Sequence, residues 1–215
     1  MGTPRLIGML DSPFVRRVAV SFELLGIAFT HEAVSVFSTF ETFQGINPVV
    51  KAPTLVLPDG EVLMDSSLIL QFAESAWSSG RTLWPAEVAE RQHDVRAVSL
   101  ALAACEKSVQ IVYERNLRPP SAQHEPWVER VRGQLLAAYA GLEGEVQCRP
   151  AAFVAGHRQA CITAAIAWQF TQSMLPALVP QGHYPGLVAL STRMERLPAF
   201  LMYPPDGPGV QVPQA

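Results

Sequence analysis

The apolar residues of this chain change period once, near residues 78–85, and that change limits the architectures open to it. Before it, short apolar runs alternate with turn residues. After it, strand-like runs almost vanish and long stretches carry apolar residues at helical spacing. A small mixed sheet buries little alone, so a helical layer is expected to complete the core. With 215 residues, 49% hydrophobic and 16% charged, the chain can bury a sizeable one.

Residues 5–10 form a short run suited to a buried strand. Ser12-Pro13 follows, a cap residue with proline for the first helical position. Phe14, Val18, Phe22 and Leu25 then make a helical stripe that Gly26 ends. Residues 29–36 favour a second strand. Strand, helix and strand in so short a span imply a right-handed crossover and a parallel pair. Asn47-Pro48 marks a turn. Residues 54–57 and 61–64 flank Pro58-Asp59-Gly60, a strong hairpin signal. Asp65-Ser66-Ser67 caps a helix over 68–77. Residues 78–82 have linker composition. Long helices are expected over 86–116, 125–146 and 160–175, with shorter ones over 186–196 and after Pro198. An irregular tail holding Pro204, Pro205, Pro208 and Pro213 is expected to follow. The order is βαβ, then ββα, then all helical: an α/β domain over 1–77, a linker over 78–85 and an all-α domain over 86–215.

Net charge is −3, the isoelectric point is near 5.9 and the basic residues are scattered. That pattern excludes a nucleic-acid footprint and disfavours an anionic membrane surface. Cys105, Cys148 and Cys161 are odd in number and far apart, so a disulfide framework is not expected and a reducing compartment fits. The five histidines show no ligand spacing, and no metal is expected. No run reaches the roughly 18–20 apolar residues of a membrane helix. Residues 1–10 lack the pattern of a secretory signal, and Leu6 stands where a myristoylation motif wants Ser or Thr. The expectation is a soluble, cytoplasmic protein.

Three segments carry more specific information: Ser12-Pro13-Phe14-x-x-Arg17-Val18, Asn47-Pro48-x-x-Lys51-Ala52-Pro53-x-Leu55, and Leu63-x-Asp65-Ser66-x-x-Ile69. In this order and spacing they resemble the catalytic-serine, cis-proline and acidic-serine motifs of the glutathione S-transferase family, in its bacterial, serine-type, tau- or theta-like form. The resemblance implies a thioredoxin-like domain followed by a helical bundle, and it runs through the whole chain, by motif over 1–77 and by helix pattern beyond. Two departures stand out. Ala52 occupies a place where the family commonly has Val or Ile. After Gly156, Ala160 and Thr163 stand where the family has a Ser/Thr-x-x-Asp capping box. A missing cap costs around 1 kcal/mol, so a substitute partner is expected there.

The resemblance implies glutathione as co-substrate, with no metal. A free thiol has a pKa of about 8.5, and only the thiolate is nucleophilic. Lowering it by about 2 units, at roughly 1.4 kcal/mol per unit, makes most of it reactive at neutral pH. A helix N-terminus offers unpaired donors and the positive end of the macrodipole. Ser12 there would add one hydroxyl hydrogen bond to the sulfur without losing its own proton. Read locally, Ser12 is equally a plain helix cap.

A cis bond before Pro53 would let Ala52 pair with the glutathione backbone like an added strand; read locally, Pro53 is equally a trans proline at a strand start. Ser66 and the helix behind it would receive the glutamyl carboxylate. Asp65 would pair with the glutamyl ammonium, and Lys51 would meet the glycyl carboxylate. Leu10, Phe14, Tyr113 and Trp168 are candidate walls for a small hydrophobic electrophile, and each could as well be core. Arg17 reads as a structural ion-pair partner. A homodimer built on the helix from Leu68 and the long helix after Ala86 is the family expectation. The implied reaction is conjugation of the glutathione thiolate to an electrophile. A glutathione-dependent disulfide or peroxide reductase, or a binding protein without catalysis, would share the scaffold. No cysteine lies near Ser12, which disfavours a protein mixed disulfide.

Overall fold

A computed structural model describes residues 2–154 and 157–210. The chain divides into two compact units, Met1–Leu83 with Pro198–Ala215, and Trp84–Leu197. The helical part therefore does not run unbroken from 86 to 215. The segment from Pro198 returns to the first unit.

The first unit contains β1 (Arg5–Ile7), α1 (Pro13–Leu25), β2 (Thr30–Glu32), α2 (Phe40–Ile46), β3 (Thr54–Val56), β4 (Val62–Met64) and α3 (Ser66–Trp77). The strand order is β2-β1-β3-β4. β1 and β2 are parallel, as the short crossover through α1 requires. β3 runs antiparallel to β1 and to β4, Thr54 facing Met64 and Val56 facing Val62 across the Asp59-Gly60 hairpin. The core is made by Leu6, Ile7, Val18, Phe22, Leu55 and Ile69, each fully buried. Ser12 is the N-cap of α1 and Pro13 opens it. Gly26 ends the helix at φ 69°, a left-handed conformation, and the N–H groups of Gly26 and Ile27 take up the carbonyls of Glu23 and Phe22. The seven-residue α2 has no counterpart in the sequence reading. Its N-cap Thr39 makes no side-chain cap bond and only Phe43 is buried, so no periodic stripe marks it.

The second unit contains α4 (Val88–Leu117), α5 (Glu125–Cys148), α6 (Pro150–Val154), α7 (Gln159–Met174) and α8 (Pro185–Met194), with single 3₁₀ turns at Pro120–Ala122 and Gln181–His183. Every residue of α7 from Gln159 to Trp168 is buried, which makes it the central helix of this unit. Tyr139, Trp168 and Tyr184 pack ring against ring at 5.4–5.9 Å. The Tyr139 hydroxyl lies 2.6 Å from Thr171 Oγ1, which lies 2.8 Å from Ser108 Oγ. Burial drives the Tyr139 phenol well above its ordinary range. Tyr184 gives α8 no side-chain cap. The buried Glu143 of α5 does so instead, accepting from the N–H groups of Gly186 (2.8 Å) and Leu187 (2.9 Å).

The expected capping-box site is also reorganised. α7 starts at Gln159, with Arg158 at the N-cap and no side-chain cap bond, so Ala160 lies inside the first turn. Thr163 Oγ1 meets Gln159 Oε1 at 3.3 Å. Arg158 reaches out of the helix to Glu90 (2.8 Å) and Asp94 (3.4 Å) on α4, tying the helix start by ion pairs in place of a cap. Gly156, the glycine of that motif, and Pro213 of the expected tail lie outside the described residues.

The chain returns to the first unit through α9 (Pro198–Met202). Arg16 of α1, 1% exposed, donates from Nε to the Tyr203 carbonyl at 2.8 Å and holds its guanidinium 5.3 Å from the Phe200 ring. Residues 203–210 are irregular, as the proline content implies.

Candidate functional site

The loop between β1 and α1 presents Ser12 half-buried at a helix terminus. Ser12 Oγ accepts from the Val15 N–H at 3.5 Å, a long contact that leaves the hydroxyl proton to be donated elsewhere. Pro13 has no N–H and the Val15 N–H is taken by the Ser12 cap, so the first turn offers the N–H of Phe14. Leu10 and Phe14 flank Ser12 and are half-buried.

The loop between α2 and β3 holds Lys51, Ala52 and Pro53, and the bond between Ala52 and Pro53 is cis. The buried Asn47 fixes this loop. Its Nδ2 donates to Thr54 Oγ1 (2.8 Å), its Oδ1 accepts from the Val49 N–H (3.0 Å), and Thr54 Oγ1 in turn donates to the Lys51 carbonyl (2.7 Å).

At the start of α3, Asp65 is the N-cap at φ 73°. Its Oδ1 accepts from the N–H groups of Ser67 (2.9 Å) and Leu68 (3.4 Å). Oδ2 lies 3.9 Å from Lys51 Nζ. Both side chains are about half exposed, so this pair contributes on the order of 0–1 kcal/mol and yields readily. Asp65 thus caps the helix through one oxygen and faces Lys51 with the other.

Arg17, read from the sequence as a structural ion-pair partner, reaches the start of α3. It is 3% exposed, and its Nη1 donates to Ser66 Oγ (2.9 Å) and Ser67 Oγ (3.0 Å). The cation thus stands behind the α3 terminus. A hydroxyl that accepts from a permanent cation turns its own proton outward. Ser66, the first residue of α3, therefore has its hydroxyl oxygen engaged by that cation.

Ser12, Leu10, Phe14, Lys51, Ala52, Pro53, Asp65 and Ser66 all belong to the first unit. Tyr113 and Trp168 belong to the second. Tyr113 lies on α4 with 38% of its surface exposed. Trp168 is 3% exposed and its ring is engaged by Tyr139 and Tyr184, so packing is its main role. Among the described residues no cluster of His, Cys, Asp or Glu is arranged to hold a metal, and no helix is long and apolar enough to cross a membrane.

Comparison with known proteins bears on the same unit. The sequence profile of the family described as "Glutathione S-transferase, N-terminal domain" matches residues 6–79. Glutathione S-transferase U4 of Arabidopsis thaliana is 28% identical over 119 residues, 50% of this chain and 52% of that one. Glutathione S-transferase U3 of the same plant is 32% identical over 81 residues, 37% of this chain and 36% of that one. These matches span about half or less of the curated relatives' length.

Solved structures extend the likeness. A glutathione transferase family member from Pseudomonas fluorescens Pf-5, solved with bound S-(propanoic acid)-glutathione, has a TM-score of 0.80 and 27% identity, covering 96% of this chain and 100% of that one. A glutathione S-transferase from Methylobacterium radiotolerans, in complex with glutathione sulfonate, has a TM-score of 0.85 and 24% identity, covering both chains completely, and it supports the fold. The architecture is a thioredoxin-like domain plus a helical domain. With the ordered serine, cis-proline and acidic-serine segments in place, residues 6–79 match the N-terminal domain of the glutathione S-transferase family, and the chain as a whole resembles members of that family.

Proposed function

We propose that this chain is a glutathione transferase that binds glutathione in its first unit and adds the ionised thiol to a small hydrophobic electrophile. The observation that carries the reading is Ser12: a hydroxyl at the α1 terminus with its proton uncommitted to the cap, in the same unit as the Asp65–Ser66 helix start.

Ser66 and the α3 terminus receive the glutamyl carboxylate, with the Arg17 cation behind them. Asp65 Oδ2 accepts from the glutamyl ammonium, and Lys51 turns from Asp65 toward the glycyl carboxylate. The Ala52 backbone pairs with the tripeptide as an added strand. The sulfur then lies at Ser12. The hydroxyl donates to it, the helix terminus favours its negative charge, and the thiol ionises near neutral pH. The thiolate attacks the electrophilic carbon, and the new C–S bond replaces a leaving group or a π bond. Leu10 and Phe14 give the electrophile an apolar wall. The working protein is a cytoplasmic homodimer.

Ser12→Ala tests this directly. We expect turnover of an aryl halide to fall at least about tenfold, the loss of one donor to a developing charge, while glutathione still binds. Unchanged turnover would move thiol activation to another group. Failure of the native chain to bind glutathione would leave a fold without this activity, and faster turnover of a hydroperoxide than of the aryl halide would make it a reductase.

A further inference from the structure

The loop that carries Ser12 is held by a segment 198 residues further along the chain. The Asp11 N–H donates to the Asp206 carbonyl at 3.1 Å, and Asp11 Oδ2 accepts from the Gly209 N–H at 2.8 Å. Gly207 lies against the same carboxylate so closely that a methyl group there would overlap Asp11 Oδ2 and Cγ. On the other side of Ser12, Arg16 donates to the carbonyls of Tyr203 (2.8 Å) and Phe200 (3.4 Å). Ser12 is therefore bracketed by two side chains, both of which fasten residues 200–209.

We propose that residues 203–209 are a strap that sets the position of Ser12, and that Asp11 is the positioning residue through which the strap acts on the glutathione sulfur. This rests on the reading of Ser12 as the donor to that sulfur. Asp11 does not reach the sulfur itself. It is the residue before the cap and is itself held by the strap, and misplacing a reacting group by about 1 Å can cost on the order of a hundredfold in rate. The carboxylate is half-buried beside a site that must accept an anion, which is an expensive place for it. Burial pushes the Asp11 carboxyl above its ordinary value of 3.8, the nearby Asp206 adds to that, and the Gly209 N–H draws it back down. The strap supplies the hydrogen bond that lets this carboxylate remain in the loop.

The test compares Asp11→Ala, Gly207→Ala, the double variant and Asp11→Asn in the full chain. The readouts are glutathione affinity by titration and the ultraviolet absorbance of the bound thiolate against pH. Either alanine variant should raise the pKa of the bound thiol and cut the thiolate fraction at neutral pH about fivefold or more, with affinity held within about twofold. The double variant should be little worse than either single one, because truncating the carboxylate removes the two closest atoms, Oδ2 and Cγ, and leaves the new methyl only the residue 11 Cβ to give way to. Asp11→Asn keeps an acceptor for Gly209 and should recover most of the loss. Wild-type titration in both alanine variants, additive effects in the double variant, or a lowered melting temperature with an unmoved thiol would overturn the strap. Gly207 is exposed, so that variant decides the matter even where Asp11→Ala does not fold. Native chain that binds no glutathione, or binds it without ionising it, would overturn the proposed function and this inference with it. Native chain that ionises the thiol alongside unmoved variants would overturn the strap alone.

Discussion

Asn47 touches no site residue with a charge, yet it organises the loop that presents Ala52. Its amide donates to Thr54 and its carbonyl oxygen accepts from Val49, so one buried side chain closes both ends of the turn. Asn47→Ala leaves a buried hydroxyl and a backbone N–H without these partners, a cost of about 1–3 kcal/mol. We expect the glutathione KM to rise several-fold with kcat at saturation little changed, measured by steady-state kinetics at varied glutathione; an unchanged KM would detach the loop from the binding site. Ser12 and Asp65 were legible in the sequence as helix starts, because a cap residue carries a local signature there. At Asp65 one oxygen caps while the other faces Lys51, a partner that the local signature does not name. Arg17 and Asp11 were not legible in these roles. Their partners lie 49 and 198 residues away, and no local pattern points so far.

At the scale of elements, the ones read correctly were those with a cap, a stripe or an Asp-Gly turn: α1, the β3–β4 hairpin, α3 and the long helices of the second unit. The missed α2 and α6 are seven and five residues long, too short for a period to declare itself. The start of α7 shows how tertiary contacts replace a local cap. Glu90 meets both Arg158 and Arg149, and these guanidinium groups, Arg158 first, hold its carboxyl below the ordinary value of 4.5. A lowered folded-state pKa gives stability that is present above the unfolded value and lost as pH falls through the folded one. Asp94, in the same cluster, acts in the opposite sense. Burial raises its carboxyl above 3.8, so its contribution is present at low pH and lost as pH rises through the folded value. Glu90→Gln should therefore flatten the fall in urea midpoint as pH drops below 4.5, while leaving the opposing slope of Asp94. An acid limb as steep as that of the native chain would remove Glu90 from the cluster's energetics.

For the whole molecule, each unit keeps apolar side chains in water. In the first, Leu68 is 61% exposed and Phe72 37%; in the second, Val88 is 77% exposed and Val95 47%. On the proposed homodimer, Leu68→Glu with Phe72→Glu should convert the sedimenting species to monomer and leave each chain folded. A native chain that sediments as a monomer at micromolar concentration would exclude that assembly. The path of the chain between units has a consequence for biosynthesis. The first unit is opened by Met1–Leu83 but completed only by the segment from Pro198. A ribosome delivers the whole intervening helical region before it delivers the carbonyls of Phe200 and Tyr203 that receive Arg16. Translation cannot finish the first unit first, and a nascent chain arrested within residues 84–197 carries a guanidinium awaiting its acceptors.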